Sequence, residues 1–401
     1  MTGCVIYLIK PSIAKERIDA IDIVRGFALF GIFLVNMPAF FLPFLYIDQQ
    51  KAAETFWDKA VVIFIDIVAQ ANFYTLFSFL FGFGTIFFYE RLKEKELRPL
   101  PFLLRRFTFL LVLGLIHAIL IWHGDILITY AITAIILILF LSARGKSLLI
   151  HSIAMIAIPY LAIGLLLLMS GTGSLTEKPT SANDIENVYQ SGSYVEITMQ
   201  RISDYLYVHG GFGMVFVVIS LLPMFLLGAY FAKEKLFHQA SEHKEKLKKI
   251  AIITLAIGIP LKVLPYFTDN LIASMYQDGV GGPLMAIGYA TSIVLLVEAK
   301  IGLKVLAPLR YIGRLSLSNY ILQSVICTLL FYSYGFGLYG SVTNKVGLLL
   351  TVVIFIMQIF ISKWWLARYQ YGPLEWLWRT VTYKNVLAIK KKVGLQNKIE
   401  A

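Results

Sequence analysis

Three residues near the end of one long apolar run have the types and spacing of a proton-handling group: His117, His123 and Asp125. An imidazole titrates near neutral pH, and a nearby carboxylate fixes its tautomer, so the set suits general acid–base work on a hydroxyl or amine. The stretch Gly114-Leu-Ile-His117-Ala-Ile-Leu-Ile-Trp122-His123-Gly124-Asp125 turns straight into the next apolar run. That places His117 inside a membrane helix, with His123 and Asp125 at its outer mouth. Asp125, Thr129 and Thr133 then fall at i, i+4 and i+8 on one helical face.

Guanidinium groups supply a second kind of chemistry. Asp22 and Arg25 are three apart and pair on one face. Asn36 lies three turns further along that face, about 16 Å deeper. Arg106 stands in the same relation to His117, and with Arg25, Arg105 and Arg314 it offers forks that fit a phosphate. Polar faces also run along Asn72, Thr75, Ser78 and Gly82, and along Ser316, Asn319, Gln323 and Cys327. Such faces serve helix packing as readily as ligand binding. Asp22 and Arg25 also fit a topology anchor, His117 a satisfied core histidine, and His123 a surface one. Lys262 is expected to snorkel to the outer surface, and Gly82-Phe-Gly84 reads as helix packing.

The elements that must hold these residues follow from composition. Of 401 residues, 58% are hydrophobic and 15% charged, and the mean hydropathy is +0.74. Soluble domains carry about 45–50% apolar residues and roughly 25% charge, so a soluble globular enzyme is excluded. Two cysteines, Cys4 and Cys327, make no disulfide framework, and no paired-ligand metal motif is present. Neither a permanently bound cofactor nor a metal is expected. No cleaved signal peptide is read at the start, and Cys4 is discounted as a lipoprotein site.

A crossing helix needs about 20 apolar residues. Ten candidate spans lie near 24–46, 72–89, 107–122, 126–141, 148–169, 212–231, 250–267, 283–297, 312–332 and 346–365. Phe56 to Gln70 reads either as an interfacial helix or as the opening turns of the second span. The expected fold is all-α and polytopic, a single transmembrane bundle. An outer polar segment occupies 170–211 and should carry a short helix over the mouth. An inner charged segment occupies 233–249, and a basic tail 366–401.

The net charge of +12 belongs to the connections rather than to a nucleic-acid surface. With the N-terminus inside, 30 of the 36 lysines and arginines fall on one side, while Lys51, Lys59, Lys178, Arg201 and Lys345 fall on the other. Cytoplasmic connections carry such an excess. Both termini are therefore expected in the cytoplasm, and the chain in the cell membrane as a multi-pass protein.

The blocks Arg17-Ile-Asp-Ala-Ile-Asp22-Ile-Val-Arg25-Gly26, Phe73-Tyr-Thr-Leu-Phe-Ser78-Phe-Leu-Phe-Gly82-Phe-Gly84, Trp122-His123-Gly124-Asp125, Gly313-Arg314-Leu-Ser316-Leu-Ser-Asn319-Tyr320 and Gly372-Pro-Leu-Glu375-Trp-Leu-Trp378-Arg379 resemble the YeiB-like family of bacterial polytopic membrane proteins. That family, largely without assigned function, is described as involved in transport. It is in turn similar to transmembrane acyltransferases such as the heparan-glucosaminide acetyltransferases, whose first helix has a similar Asp-x-x-Arg-Gly start. In those enzymes a histidine soon after that helix carries the chemistry, whereas Asn36 to Lys59 holds none here. The resemblance implies acyl transfer from a cytoplasmic acyl-thioester, with acyl-coenzyme A as co-substrate and an acceptor such as an envelope glycan at the outer face. His117 or His123, oriented by Asp125, would be the base, and Asp22, Arg25, Asn36, Arg105, Arg106, Asn319 and Arg314 would bind substrate. The alternative is transport of a small solute, with His117 a proton relay. Interrupted helices at Gly258 to Pro265 and at Gly335 to Gly340 would then mark the path.

Overall fold

A computed structural model describes residues 19–170, 182–268 and 270–391. Helix α1 (Asp19–Phe41) is followed by α2 (Gln49–Ala52), α3 (Phe56–Val68), α4 (Asn72–Glu94), α5 (Pro99–Leu120), α6 (Leu127–Leu137) and α7 (Gly145–Ser170). Two polar-segment helices, α8 (Ala182–Ser191) and α9 (Tyr194–His209), precede α10 (Gly213–Lys233), α11 (Lys244–Val263), α12 (Leu271–Tyr276) and α13 (Gly282–Glu298). The chain continues through α14 (Leu303–Leu306), α15 (Leu309–Arg314), α16 (Ser316–Phe331), α17 (Asn344–Arg368) and α18 (Pro373–Tyr383). Among the described residues there is no strand, only an isolated bridge between Tyr369 and Lys390.

The protein is an all-α polytopic membrane protein. Seven segments have the length and apolarity to cross a membrane: α1, α3 with α4, α5, α7, α10, α12 with α13, and α17. The shorter apolar helices are α16 and α6, the latter extended by a 3-10 turn to Phe140. Helix α11 enters its apolar run from Lys244, Lys246, Lys248 and Lys249.

Hydrogen bonds sort the connections into two ends. At one end the Lys233 ammonium donates to the Leu141 and Ala143 carbonyls, at 2.8 and 2.6 Å. There too the Trp378 indole donates to the Arg106 carbonyl at 2.8 Å, and Arg310 meets Asp19 at 3.6 Å. At the other end Arg201 binds the Leu120 and Ile121 carbonyls, and Asp58 accepts the Lys345 amide at 3.0 Å. Asp19 and Lys391 both lie at the first end, which carries the arginines named above.

Several boundaries depart from the sequence expectation. Helix α1 stops at Phe41 rather than Tyr46 because Leu42 precedes Pro43 and is steered out of the helical region. Helix α3 is separate from α4, broken at residues 69–71, where Ala71 has φ +60°. Its Asp58 and Asp66 both bond to groups at the far end, so it lies across that end. The span expected over 312–332 breaks at Leu315. Helix α16 begins anew at Ser316 because the Glu375 carboxylate accepts the Leu317 and Ser318 amides, at 2.8 and 3.0 Å, from 57 or more residues away. Helix α15 packs hard on the start of α1, where a Cβ on Gly313 would run into the Asp22 carbonyl.

Candidate functional site

His117 comes from the last turn of α5 and Asp125 from the connection that opens α6. The chain doubles back after Leu120, so residues eight apart face each other: His117 Nδ1 lies 2.8 Å from Asp125 Oδ2. The other carboxylate oxygen accepts the Ile128 amide at 2.9 Å, tying Asp125 to the first turn of α6. Gly114 makes this possible, since any side chain there would crowd Asp125 and Ile128. With Nδ1–H donated to the carboxylate, Nε2 carries the lone pair. Nε2 is buried and meets no hydrogen-bond partner. A buried imidazole with an anchored carboxylate on one nitrogen and the other left open is the arrangement of a general base.

Toward the basic end lies a cavity of about 280 Å³. Its mouth carries Arg25, Arg91, Arg106, Arg314 and Arg379 against Asp22 and Glu375. Arg25 donates to Asp22 at 3.1 Å. Arg106 lies over the Trp378 ring, 3.7 Å from its centroid. The Glu375 carboxyl, half-buried at the start of α16, is pushed up by desolvation against the pull of its Ser318 and Leu317 donors. Five guanidiniums facing two carboxylates that already have partners suit a polyanion. Deeper walls are apolar, with Leu29, Ile32, Leu80 and Leu110, and the blind end is formed by Ile126, Leu127, Tyr130 and Tyr320. The Tyr320 ring sits 5.2 Å from that of His117.

The far side of the pair is closed by α8 and α9. Asp204, 2% exposed, accepts from Tyr46 and Gln200 at 2.7 Å and from Tyr189 at 2.6 Å. His123 approaches the same carboxylate at 3.6 Å. Desolvation holds its imidazole below the usual histidine range, partly opposed by Asp204. Between the two histidines, Trp122 stacks on Phe40 at 4.1 Å.

The expected site residues thus divide. His117 and Asp125 come together, and Asp22, Arg25, Arg106 and Arg314 share the cavity. His123 pairs with Asp204 rather than Asp125. Arg105 turns away from the cavity, onto the Pro101 carbonyl and the Phe102 ring. Asn36 is half-buried and does not line the cavity. Asn319 is absorbed into a contact between α16 and α17, donating to Ser362 at 3.0 Å while its backbone carbonyl accepts from Gln358. Lys262 does not reach the surface: its side chain is 0% exposed and its ammonium sits 2.9 Å from Asp278 and 3.1 Å from the Gln70 carbonyl. The residues beside it, Asp66 and Gln277, complete a polar network that the ammonium prefers to lipid. Helix α11 is not interrupted at Gly258 and Pro260 but runs through both to Val263; Gly335 to Gly340 form turns after α16, and neither segment lines the cavity.

Sequence reasoning missed Arg91, Tyr320, Trp378, Arg379 and Asp204 as parts of this site. The Trp378-Arg379 pair had a signal in its amphipathic helix; Asp204 stood out only as one of several acidic residues in a polar segment.

Residues 231–385, which bring Arg314, Tyr320, Glu375, Trp378 and Arg379 to the cavity, match a family model described as "Protein of unknown function (DUF418)". Over 404 aligned residues the chain is 36% identical to uncharacterized protein YxaH of Bacillus subtilis (strain 168), covering 96% of this chain and 98% of the relative. It is 28% identical to uncharacterized protein YeiB of Escherichia coli (strain K12), covering 92% and 97%. An uncharacterized 39.9 kDa protein in the amylase 3' region of Bacillus acidopullulyticus is 26% identical over 95% of this chain and 98% of its own length. With its similarity running through almost the full length of both chains, the protein belongs to the YeiB-like family.

Proposed function

We propose that the protein transfers an acyl group across the cell membrane, from a cytoplasmic thioester to an acceptor at the outer face. The observation that carries this reading is the His117–Asp125 pair, with Nε2 open, placed just beyond the blind end of an arginine-mouthed cavity. The excess of positive charge makes the cavity mouth the cytoplasmic side. A phosphate-bearing donor such as acyl-coenzyme A would rest its anionic end on Arg25, Arg106 and Arg314. Arg106 lies eleven residues before His117, about 16 Å along the helix, so the donor needs a slim arm of that length to bring its carbonyl to the imidazole. His117 Nε2 takes the proton from an acceptor hydroxyl or amine as its oxygen or nitrogen bonds to the carbonyl carbon. The carbon–sulfur bond breaks, and the proton passes to the departing thiolate. Asp125 holds the tautomer and steadies the imidazolium between these steps.

Binding of coenzyme A to the purified protein tests the donor site. Arg106→Ala and Arg314→Ala should each weaken it by about ten- to a hundredfold, the worth of a charge-assisted hydrogen bond. Undetectable coenzyme A binding would remove the donor.

The cavity sets arginines apart from apolar and aromatic lining residues, which also fits a carrier of an anionic solute. Uptake into proteoliposomes without any acyl transfer would favour that second reading.

A further inference from the structure

We propose that Tyr320 is the positioning residue that seals the donor cavity from His117, its ring acting as the door and its hydroxyl as the latch. Its purpose rests on the acyl-transfer reading, but its geometry does not. His117 is 0% exposed and does not line the cavity. Tyr320 does both jobs at once: it forms part of the blind end, and its ring lies 5.2 Å from the imidazole with a 52° tilt. The Tyr320 ring thus links the cavity lining to the imidazole. The hydroxyl donates to the Gly124 carbonyl at 3.2 Å, longer than the roughly 2.5–3.0 Å usual between a hydroxyl and an oxygen acceptor. Gly124 belongs to the same short connection as Asp125, so the latch also holds the carboxylate against His117. Swinging the ring aside breaks the long bond to Gly124 and the hydroxyl's contact with the Ile126 backbone, and leaves the rest of α16 anchored, because Glu375 holds its first turn. The opposite approach is closed more firmly, by the Trp122 ring stacked on Phe40 at 4.1 Å.

An opening one ring wide admits a linear acyl arm and excludes a branched head group. It keeps the phosphorylated end of the donor among the arginines while only the carbonyl passes Tyr320. While the arm is threaded, the ring packs beside it and narrows the way for cytoplasmic water.

Carbethoxylation of His117 by diethyl pyrocarbonate, read by mass spectrometry of the peptide, tests the door in the full chain. The reagent needs the free Nε2 and no catalytic turnover. Tyr320→Ala should raise the His117 rate by about tenfold or more, as for removal of a local barrier. Tyr320→Phe keeps the ring and loses only the latch, so its rate should rise by about threefold, well short of Tyr320→Ala. If Tyr320→Ala fails to fold, Tyr320→Leu serves with a smaller rise in the same direction. Added coenzyme A should slow the labelling of the Ala or Leu variant, since it occupies the cavity. Equal rates in the parent and the truncated variants would overturn the proposal, as would labelling that rises in Tyr320→Phe as much as in Tyr320→Ala. Labelling that rises as expected while no thioester is consumed keeps the door and removes the acyl-transfer reading. Intact acyl transfer with unchanged labelling does the reverse.

Discussion

Asp125 reaches His117 across a reversal of the chain, 2.8 Å from Oδ2 to Nδ1, while its second oxygen holds the Ile128 amide. The carboxylate thus fixes both the imidazole tautomer and the start of α6. Asp125→Asn keeps the acceptor for Ile128 but can donate its NH2 to Nδ1, which reverses the tautomer and puts the proton on Nε2. Turnover should fall by about 10²- to 10⁴-fold, the range for loss of general base catalysis, with little change in melting temperature. Steady-state thiol release and thermal unfolding in detergent, measured on the same sample, check this.

Gly114 touches neither substrate nor proton, yet a Cβ there would lie 2.9 Å from an Asp125 oxygen and 2.8 Å from the Ile128 amide. Gly114→Ala should therefore cost more in activity than its overpacking alone costs in stability, about 1–3 kcal/mol. Comparing kcat with the unfolding midpoint separates the two effects.

The Lys262–Asp278 pair is asymmetric, with side chains 0% and 42% exposed. Asp278→Asn strands a buried ammonium and should destabilise by about 3–5 kcal/mol. Lys262→Met leaves a half-exposed carboxylate and should cost less, and the double variant should be more stable than Asp278→Asn alone. Thermal unfolding of the three variants decides the order.

Three histidines outside the spans, His123, His209 and His238, are each held below the ordinary value of 6.5, in each case first by desolvation. The unfolded chain then binds more protons than the folded one below pH 6.5, so their contribution to stability is complete above that pH and is lost as pH falls. The melting temperature should drop between about pH 6.5 and 5. His123→Gln should flatten that slope; a melting temperature that rises on acidification would contradict the burial of these rings.

Much of this site was legible in the residues. His117 lay in an apolar run and Asp125 at its exit, so their meeting follows from a tight reversal. The register of Arg25 and Arg106 also followed from helical spacing. Arg105 and Arg106 were not separable, because neighbours on a helix point about 100° apart and only a third helix decides which faces the cavity. The face Ser316, Asn319, Gln323 and Cys327 was real, but its partners Gln358 and Ser362 come from α17, and spacing along one helix does not say which neighbour it meets. The break at Leu315 depends on Glu375, distant in sequence, and no local signal marks it.

The most direct test of the His117 assignment is thiol release from acetyl-coenzyme A by the purified protein and by His117→Gln, with coenzyme A binding measured on both. Binding should be retained in the variant, because His117 lies outside the arginine cavity, while thiol release should fall by about 10²- to 10⁴-fold. Thiol release that continues unchanged in His117→Gln, or its absence from the parent protein, would contradict the central claim.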